Sequence, residues 1–191
     1  MKLQPHIKIL ILNWNGKAII KRCLDSIKYL QYDNYSVDVV DNGSTDDSIN
    51  IIKTRFPNIV VHEIKENLGY AKGYNLALKQ IDAQYFVLLN SDIEVTKDWI
   101  SPIISLMDSD KTISACQPKL LDYNKRDFFE YAGAGGGFMD NLCYPFCRGR
   151  IFQTTEEDKR QYNDAIEVFW ATGACIFVKA EAFWEVGGFD E

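Results

Sequence analysis

Histidine is the scarcest chemical resource of this chain. Only His6 and His62 occur in 191 residues. A Ser-His-Asp or Cys-His nucleophile system needs an imidazole beside its nucleophile. With both histidines in the first 62 residues, and His62 at a strand end, such hydrolase chemistry is not credible. Chemistry must then rest on carboxylates, a metal ion or both. Zinc fares no better. Of the five cysteines, at 23, 116, 143, 147 and 175, only Cys143 and Cys147 are close, and no second pair stands at zinc-ligand spacing. Long apolar runs are absent too. The N-terminal run, Ile9 to Leu12, is far below the roughly 18 residues of a membrane span, and it is too short for a signal-peptide core. The expectation is a cytoplasmic, reduced chain. A basic excess is also missing: Lys plus Arg is 21 against 27 for Asp plus Glu, a net charge of −6. This argues against nucleic acid as a partner, but leaves room for a small anionic ligand. No phosphate-loop motif occurs. The run Gly133-Ala134-Gly135-Gly136-Gly137-Phe138 carries Phe where a dinucleotide fingerprint has its third glycine. It reads as a flexible loop.

What is present is an ordinary globular composition, 47% hydrophobic and 25% charged. A chain of this length buries about 70% of its unfolded surface without a disulfide or metal. One domain over residues 1–191 is expected. Apolar β-rich runs at Ile7–Leu12, Val37–Val40, Ile59–Val61, Tyr85–Leu89 and Ile113–Pro118 alternate with helical spacing at 19–30, 49–52, 70–81 and 99–107. Ser44 or Thr45 is placed to cap the second helix. The order predicts an α/β fold, a mostly parallel sheet with helices on both faces. Ligands of such sheets gather at the carboxyl ends of the strands. Three polar clusters fall there: Asn13-Trp14-Asn15, Asp41-Asn42-Gly43-Ser44 and Asn90-Ser91-Asp92. Residues 122–165 read as an irregular, mobile excursion. Regular structure returns over Val168–Val178, with a short helix near Ala180–Val186.

Two readings stand side by side for each cluster. Asp92, after a buried strand, is either a Mg²⁺ ligand completed by substrate phosphates or a cap for residues 93–99. Trp14 is a stacking face for a planar base or a core aromatic. Asp41 and Asn42 accept an imide N–H or form a helix-capping turn.

The stretches IxNWNG, VVDNGSTDDS, ENLGYAKGYNLAL, FVLLNSDIEV and WATGACIFVKAEAFWEVGGFDE, taken in order, resemble the GT-A glycosyltransferases of family 2. The likeness runs from about residue 7 to the last residue and is strongest to bacterial rhamnosyltransferase-like members that build cell-surface polysaccharide. The resemblance implies an inverting transfer from a nucleotide-sugar donor, a thymidine or uridine diphosphate sugar, assisted by Mg²⁺ or Mn²⁺. The acceptor it implies is a saccharide or a lipid-linked one, which leaves peripheral association with the inner face of the membrane open. Carried over by position, Trp14 flanks the base with Asn13 beside it, and Asp41 and Asn42 contact base and ribose. Asn67, Gly69 and Lys72 line the donor. Asn90 and Ser91 stand in the family's acidic D-x-D position, with Asn90 replacing the first acid, so Asp92 is left as metal ligand. The resemblance divides the domain into a donor-binding part, about 1–120, and an acceptor-side part, about 121–191, in which Trp170, Thr172 and Gly173 fall. The family's general base follows G-G-F-D-E, which is where this sequence stops, so the chain reads as a fragment cut before its base, and Asp190 and Glu191 are not assigned that role. A non-catalytic nucleotide-sugar binding module and a sugar nucleotidyltransferase are the alternatives. The latter lacks its Gly-rich basic loop here.

Overall fold

The computed structural model describes residues 4–191. Strand β1 (Ile7–Asn13) is followed by α1 (Ile20–Ile27), β2 (Tyr35–Asn42), α2 (Ser48–Arg55), β3 (Val60–Ile64), α3 (Gly69–Leu78), β4 (Tyr85–Asn90) and α4 (Ile100–Ser109). These are the alternating elements the periodicity predicts. The chain then enters β5 (Ala115–Cys116), makes the excursion β6 (Gly137–Met139), β7 (Pro145–Cys147), β8 (Arg150–Ile151) and β9 (Thr154–Thr155), and returns through β10 (Cys175–Lys179) to α5 (Ala180–Glu185). The main sheet has the order β3-β2-β1-β4-β10-β5. Strands β3, β2, β1 and β4 are parallel, and β10 runs antiparallel to both its neighbours. Five of the six strands therefore point the same way.

Alternation along the strands divides the core into two layers, because successive side chains leave opposite faces of a sheet. Ile7, Ile9 and Ile11 of β1 with Val87 and Leu89 of β4 face α1, α2 and α4, packing on Cys23, Leu24, Ile52 and Ile104. Leu10, Phe86 and Leu88 face α3 and α5, packing on Tyr74, Leu78 and Phe183. Tyr74 is fully buried, and its hydroxyl takes the Leu12 N–H and reaches the carbonyls of Leu10 and Leu89, so the polar tip is satisfied at the heart of the sheet.

Three details depart from the sequence reading. Helix α2 starts at Ser48, with Asp47 rather than Ser44 or Thr45 at its cap position and no capping side-chain bond there. The Ser44 hydroxyl is instead drawn to Asp41, a stronger acceptor than water because it is charged. The strand expected over Ile113–Pro118 shrinks to two residues. Residues 122–165 are not an irregular excursion: they carry the antiparallel meander β6-β7-β8-β9. Its strands are only two or three residues long, too short to show a two-residue period.

The glycine run has a packing cause. The segment before β10 lies directly on it, and Gly137 pairs with Trp170 in an isolated bridge. A Cβ on Gly137 would stand 2.1 Å from the Trp170 ring, and one on Gly133 would stand 2.6 Å from Thr172. Only a backbone without side chains admits that contact. On the α3 face of the sheet, buried Asp38 joins Lys8 at 2.8 Å and His62 at 2.7 Å, while the His6 ring meets Ser36. Both histidines are thus engaged away from the polar strand ends.

Candidate functional site at the carboxyl rim of the sheet

The register of the parallel strands sets Asn13 opposite Asp41, and Leu12 opposite Asn90. The three polar clusters therefore share one rim. At its centre Asn13 and Asp41 are both buried, with Asp41 1% exposed. Asp41 Oδ1 accepts from Asn13 Nδ2 at 2.8 Å and from the Ser44 hydroxyl at 2.6 Å, and Oδ2 accepts the Ser44 backbone N–H at 2.9 Å. The Asn13 amide also reaches the hydroxyls of Ser44 and Ser48. Asn13 Oδ1 is buried with no partner among the described residues. It faces Gly16, where a Cβ would lie 2.0 Å from this oxygen and 3.6 Å from Ser91 Oγ, so the β1 and β4 ends meet at this point.

Trp14 is 57% exposed and is not a core aromatic. It is held outward by Asn15, whose φ of 50° turns the chain sharply and whose side-chain oxygen accepts the N–H groups of Thr45 and Asp46. The sequence reading missed Asn15 as the tie between two rim loops. The signal was present, since Asn is the residue most at ease with a positive φ after Gly.

Asn42 lies beneath the rim, 2% exposed. Its amide donates to Asn67 Oδ1 at 2.9 Å and Gly69 O at 3.0 Å, and its oxygen accepts the Leu68 N–H at 3.0 Å. These bonds make Asn42 the anchor of the β3–α3 loop. Asn67 is exposed in that loop, Gly69 is exposed at the start of α3, and Lys72 is exposed on its first turn.

At the end of β4, Asn90 donates its backbone N–H to Ala174 O and accepts from Ile93, and Ser91 is buried. Asp92 is exposed and accepts no hydrogen bond from any described residue. It does not cap residues 93–99. Asp92 lines a cleft of about 620 Å³ together with Asn90, Glu94, Leu120, Tyr123, Arg126 and Ala174. Arg126 pairs with Glu94, and the guanidinium of Arg22 lies 3.9 Å from the Tyr123 ring. Among the described residues, no three acidic, His or Cys groups cluster tightly enough to hold a metal by themselves. A lone uncommitted carboxylate fits a cation that takes its remaining ligands from substrate phosphates and water. Cys23 lies behind this rim. Its thiol is pushed up to about 12 by burial, with the Asp92 carboxylate adding to the effect, so it is a neutral packing group.

Trp170, Thr172 and Gly173 precede Ala174, which lines the same cleft. Trp170 donates its indole N–H to Phe138 O, Thr172 is fixed by its backbone N–H to Gln117 Oε1, and Gly173 O accepts the Tyr70 hydroxyl at 2.7 Å. Glu130 holds the adjoining turn through the N–H groups of Ala132 and Gly133. Asn75 accepts the Phe189 N–H and donates to Phe189 O and to Glu191 Oε1, tying the last residues to α3. A second cleft, about 530 Å³, runs along β5 beside residues 162–168 and contains none of the rim residues.

Solved structures share this fold. The fold matches S. aureus TarS with a TM-score of 0.65 at 17% identity, covering 95% of this chain and 49% of that one. It matches the mannosyltransferase PcManGT of Pyrobaculum calidifontis, solved with GDP-Man and Mn²⁺, at 0.62 and 17%, covering 99% and 48%. The fold is therefore the GT-A transferase fold. In sequence, the chain is 26% identical over 189 residues to the N-acetylglucosaminyl-diphospho-decaprenol L-rhamnosyltransferase of Mycobacterium tuberculosis, covering 90% of this chain and 61% of that protein. It is 32% identical over 93 residues to the teichoic acid poly(glycerol phosphate) polymerase of Staphylococcus epidermidis, covering 47% and 13%. The chain thus spans less than two thirds of either relative. Residues 8–187 match the glycosyl transferase family 2 model, and on that match and this fold the chain belongs to glycosyltransferase family 2.

Proposed function

We propose that this chain binds a nucleoside diphosphate sugar on the carboxyl rim and serves its transfer, with inversion, to a hydroxyl of a saccharide or lipid-linked acceptor in cell-surface polysaccharide synthesis. The observation that carries the reading is the state of three side chains on one rim: Trp14 exposed, Asp41 held rigid by Asn13 and Ser44, and Asp92 uncommitted. Rigid Asp41 suits an imide N–H, because a carboxylate fixed by three donors still has a lone pair on Oδ2. Exposed Trp14 supplies the face for the base ring. Lys72 is near enough in sequence to the anchored loop to meet phosphate or ribose. A Mg²⁺ or Mn²⁺ ion at Asp92 would neutralise charge on the departing diphosphate oxygens. Asn90, an amide in the first acidic position, leaves that duty to Asp92. Support for a metal comes from PcManGT with Mn²⁺, and support for a lipid-linked acceptor comes from the decaprenol named for the mycobacterial relative. A carboxylate base would take the acceptor proton. Glu191 is occupied by Asn75 and, like Asp190, is given no such role.

Calorimetry with uridine and thymidine diphosphates, with and without Mn²⁺, tests the reading. Binding is expected to strengthen with Mn²⁺, and Asp92→Asn is expected to remove that gain while the metal-free affinity stays, because a neutral amide is a poorer ligand for a hard cation. Equal affinity with and without Mn²⁺ in the parent protein overturns the metal assignment. Absence of binding to either nucleotide overturns the donor site.

A further inference from the structure

The meander β6-β7-β8-β9 places two of its turns at one end. In an antiparallel meander alternate turns share an end, so the β6–β7 turn (140–144) and the β8–β9 turn (152–153) lie together, opposite the β7–β8 turn (148–149). The two ends are unlike. At the inner end Gly149 packs on the buried Phe129 ring, so closely that a Cβ would stand 2.4 Å from it, and Gly137 packs on Trp170. The outer end carries Leu142, Tyr144, Ile151 and Phe152, which are 73%, 68%, 67% and 85% exposed. Asp140, the charged residue of the first turn, is folded back onto the N–H groups of Leu142 and Tyr144, and no charged residue occurs from Asn141 to Cys147 or from Ile151 to Thr155, in a chain that is 25% charged. Large exposed apolar groups gathered in one place mark an interaction surface.

We propose that these paired turns insert into the interfacial region of a lipid bilayer. A second copy of the chain is the less suitable occupant. Even wholly covered, four such side chains offer on the order of 600 Å², below the roughly 800 Å² per partner of a standard interface, and protruding turns are not wholly covered by a flat face. Insertion of turn tips into a fluid apolar phase needs no complementary face. Aromatic and aliphatic tips suit the headgroup and acyl boundary. The nearest basic group, Arg150, is turned onto Phe152 O and the Tyr131 ring, so the attraction is chiefly apolar and neither anionic lipid nor low salt is required. The inner end of the same small sheet borders the candidate site through Gly133 and Gly137. A three-residue strand spans about 10 Å. Inserted tips would hold the acceptor side close above the membrane surface, where a lipid-linked acceptor, as proposed above, presents its sugar.

The test is flotation of the whole chain with phosphatidylcholine vesicles at low and high salt. The parent protein is expected to float at both. Leu142→Ser with Phe152→Ser is expected to lower partitioning at least about tenfold, as loss of inserted apolar area requires, with an unchanged melting temperature. In parallel, the tryptophan emission of Phe152→Trp is expected to move to the blue when vesicles are added. Absence of flotation and of the blue shift overturns the proposal. So does binding that needs anionic lipid or vanishes in high salt. A dimer in sedimentation equilibrium that the double variant dissociates assigns the tips to a second copy instead. Nucleoside diphosphate binding is read on the same variants and is expected to be unchanged, so the donor-site reading and the insertion of the tips fail separately.

Discussion

Trp14 shows how one side chain carries a functional reading. An aromatic this size, 57% exposed beside buried polar groups, contributes little to the core. Trp14→Ala is expected to leave the melting temperature nearly unchanged and to weaken nucleoside diphosphate binding by about 1–3 kcal/mol, the scale of base–aromatic stacking. Calorimetry beside a thermal melt decides it. Unchanged affinity would remove the stacking role. The neighbouring Asn13, Asp41 and Ser44 behave as one unit, since each holds another, so their substitutions are not expected to add. Asn42 differs in kind, because its bonds run inward to residues 67–69 and its contribution is the shape of a loop.

Among the elements, the contact between the glycine run and the segment leading into β10 is the least tolerant. Gly137 touches the Trp170 ring, and Trp170 in turn donates to Phe138 O. Gly137→Ala must push the indole aside and strain that bond. The expected loss in urea denaturation is about 1–3 kcal/mol, as for other overpacked sites. A smaller loss would mean that the small sheet shifts as a body. The same element explains why residues 122–165 misled the sequence reading. Its strands are held by backbone pairing and by a cluster of Phe129, Ala134 and Cys147, and not by a repeating apolar face.

For the molecule as a whole, the last residues are part of the architecture. Asn75 is buried on α3 and grips Phe189 through both its N–H and its carbonyl, while Phe189 packs on the Tyr70 ring and Tyr70 reaches Gly173. A single amide thereby links α3, the residues after α5 and, through Tyr70, Gly173. Asn75→Ala is expected to cost about 1–3 kcal/mol, the range for hydrogen-bonding groups left without partners, and to raise hydrogen exchange in residues 187–191. Unaltered exchange there would show that the aromatic packing alone holds the segment.

The alternation of elements, the two-layer core and the gathering of three polar clusters on one rim were all set by the sequence alone. The apolar runs of β1 and β4 and the Val-rich β2, broken only by Asp38, fit buried strands, and parallel strands carry the residues that follow them to one edge. The tertiary structure decided matters that depend on groups distant in the chain. It determined that Asp92 stays uncommitted while Asp41 is saturated on one oxygen, that Ser44 serves Asp41 and not α2, and that the glycine run is a packing surface for Trp170 and Thr172. Apart from the local Ser44–Asp41 contact, such outcomes hinge on which donor or ring arrives from 28 or more residues away to claim a carboxylate or a bare backbone, and local spacing holds no record of that competition.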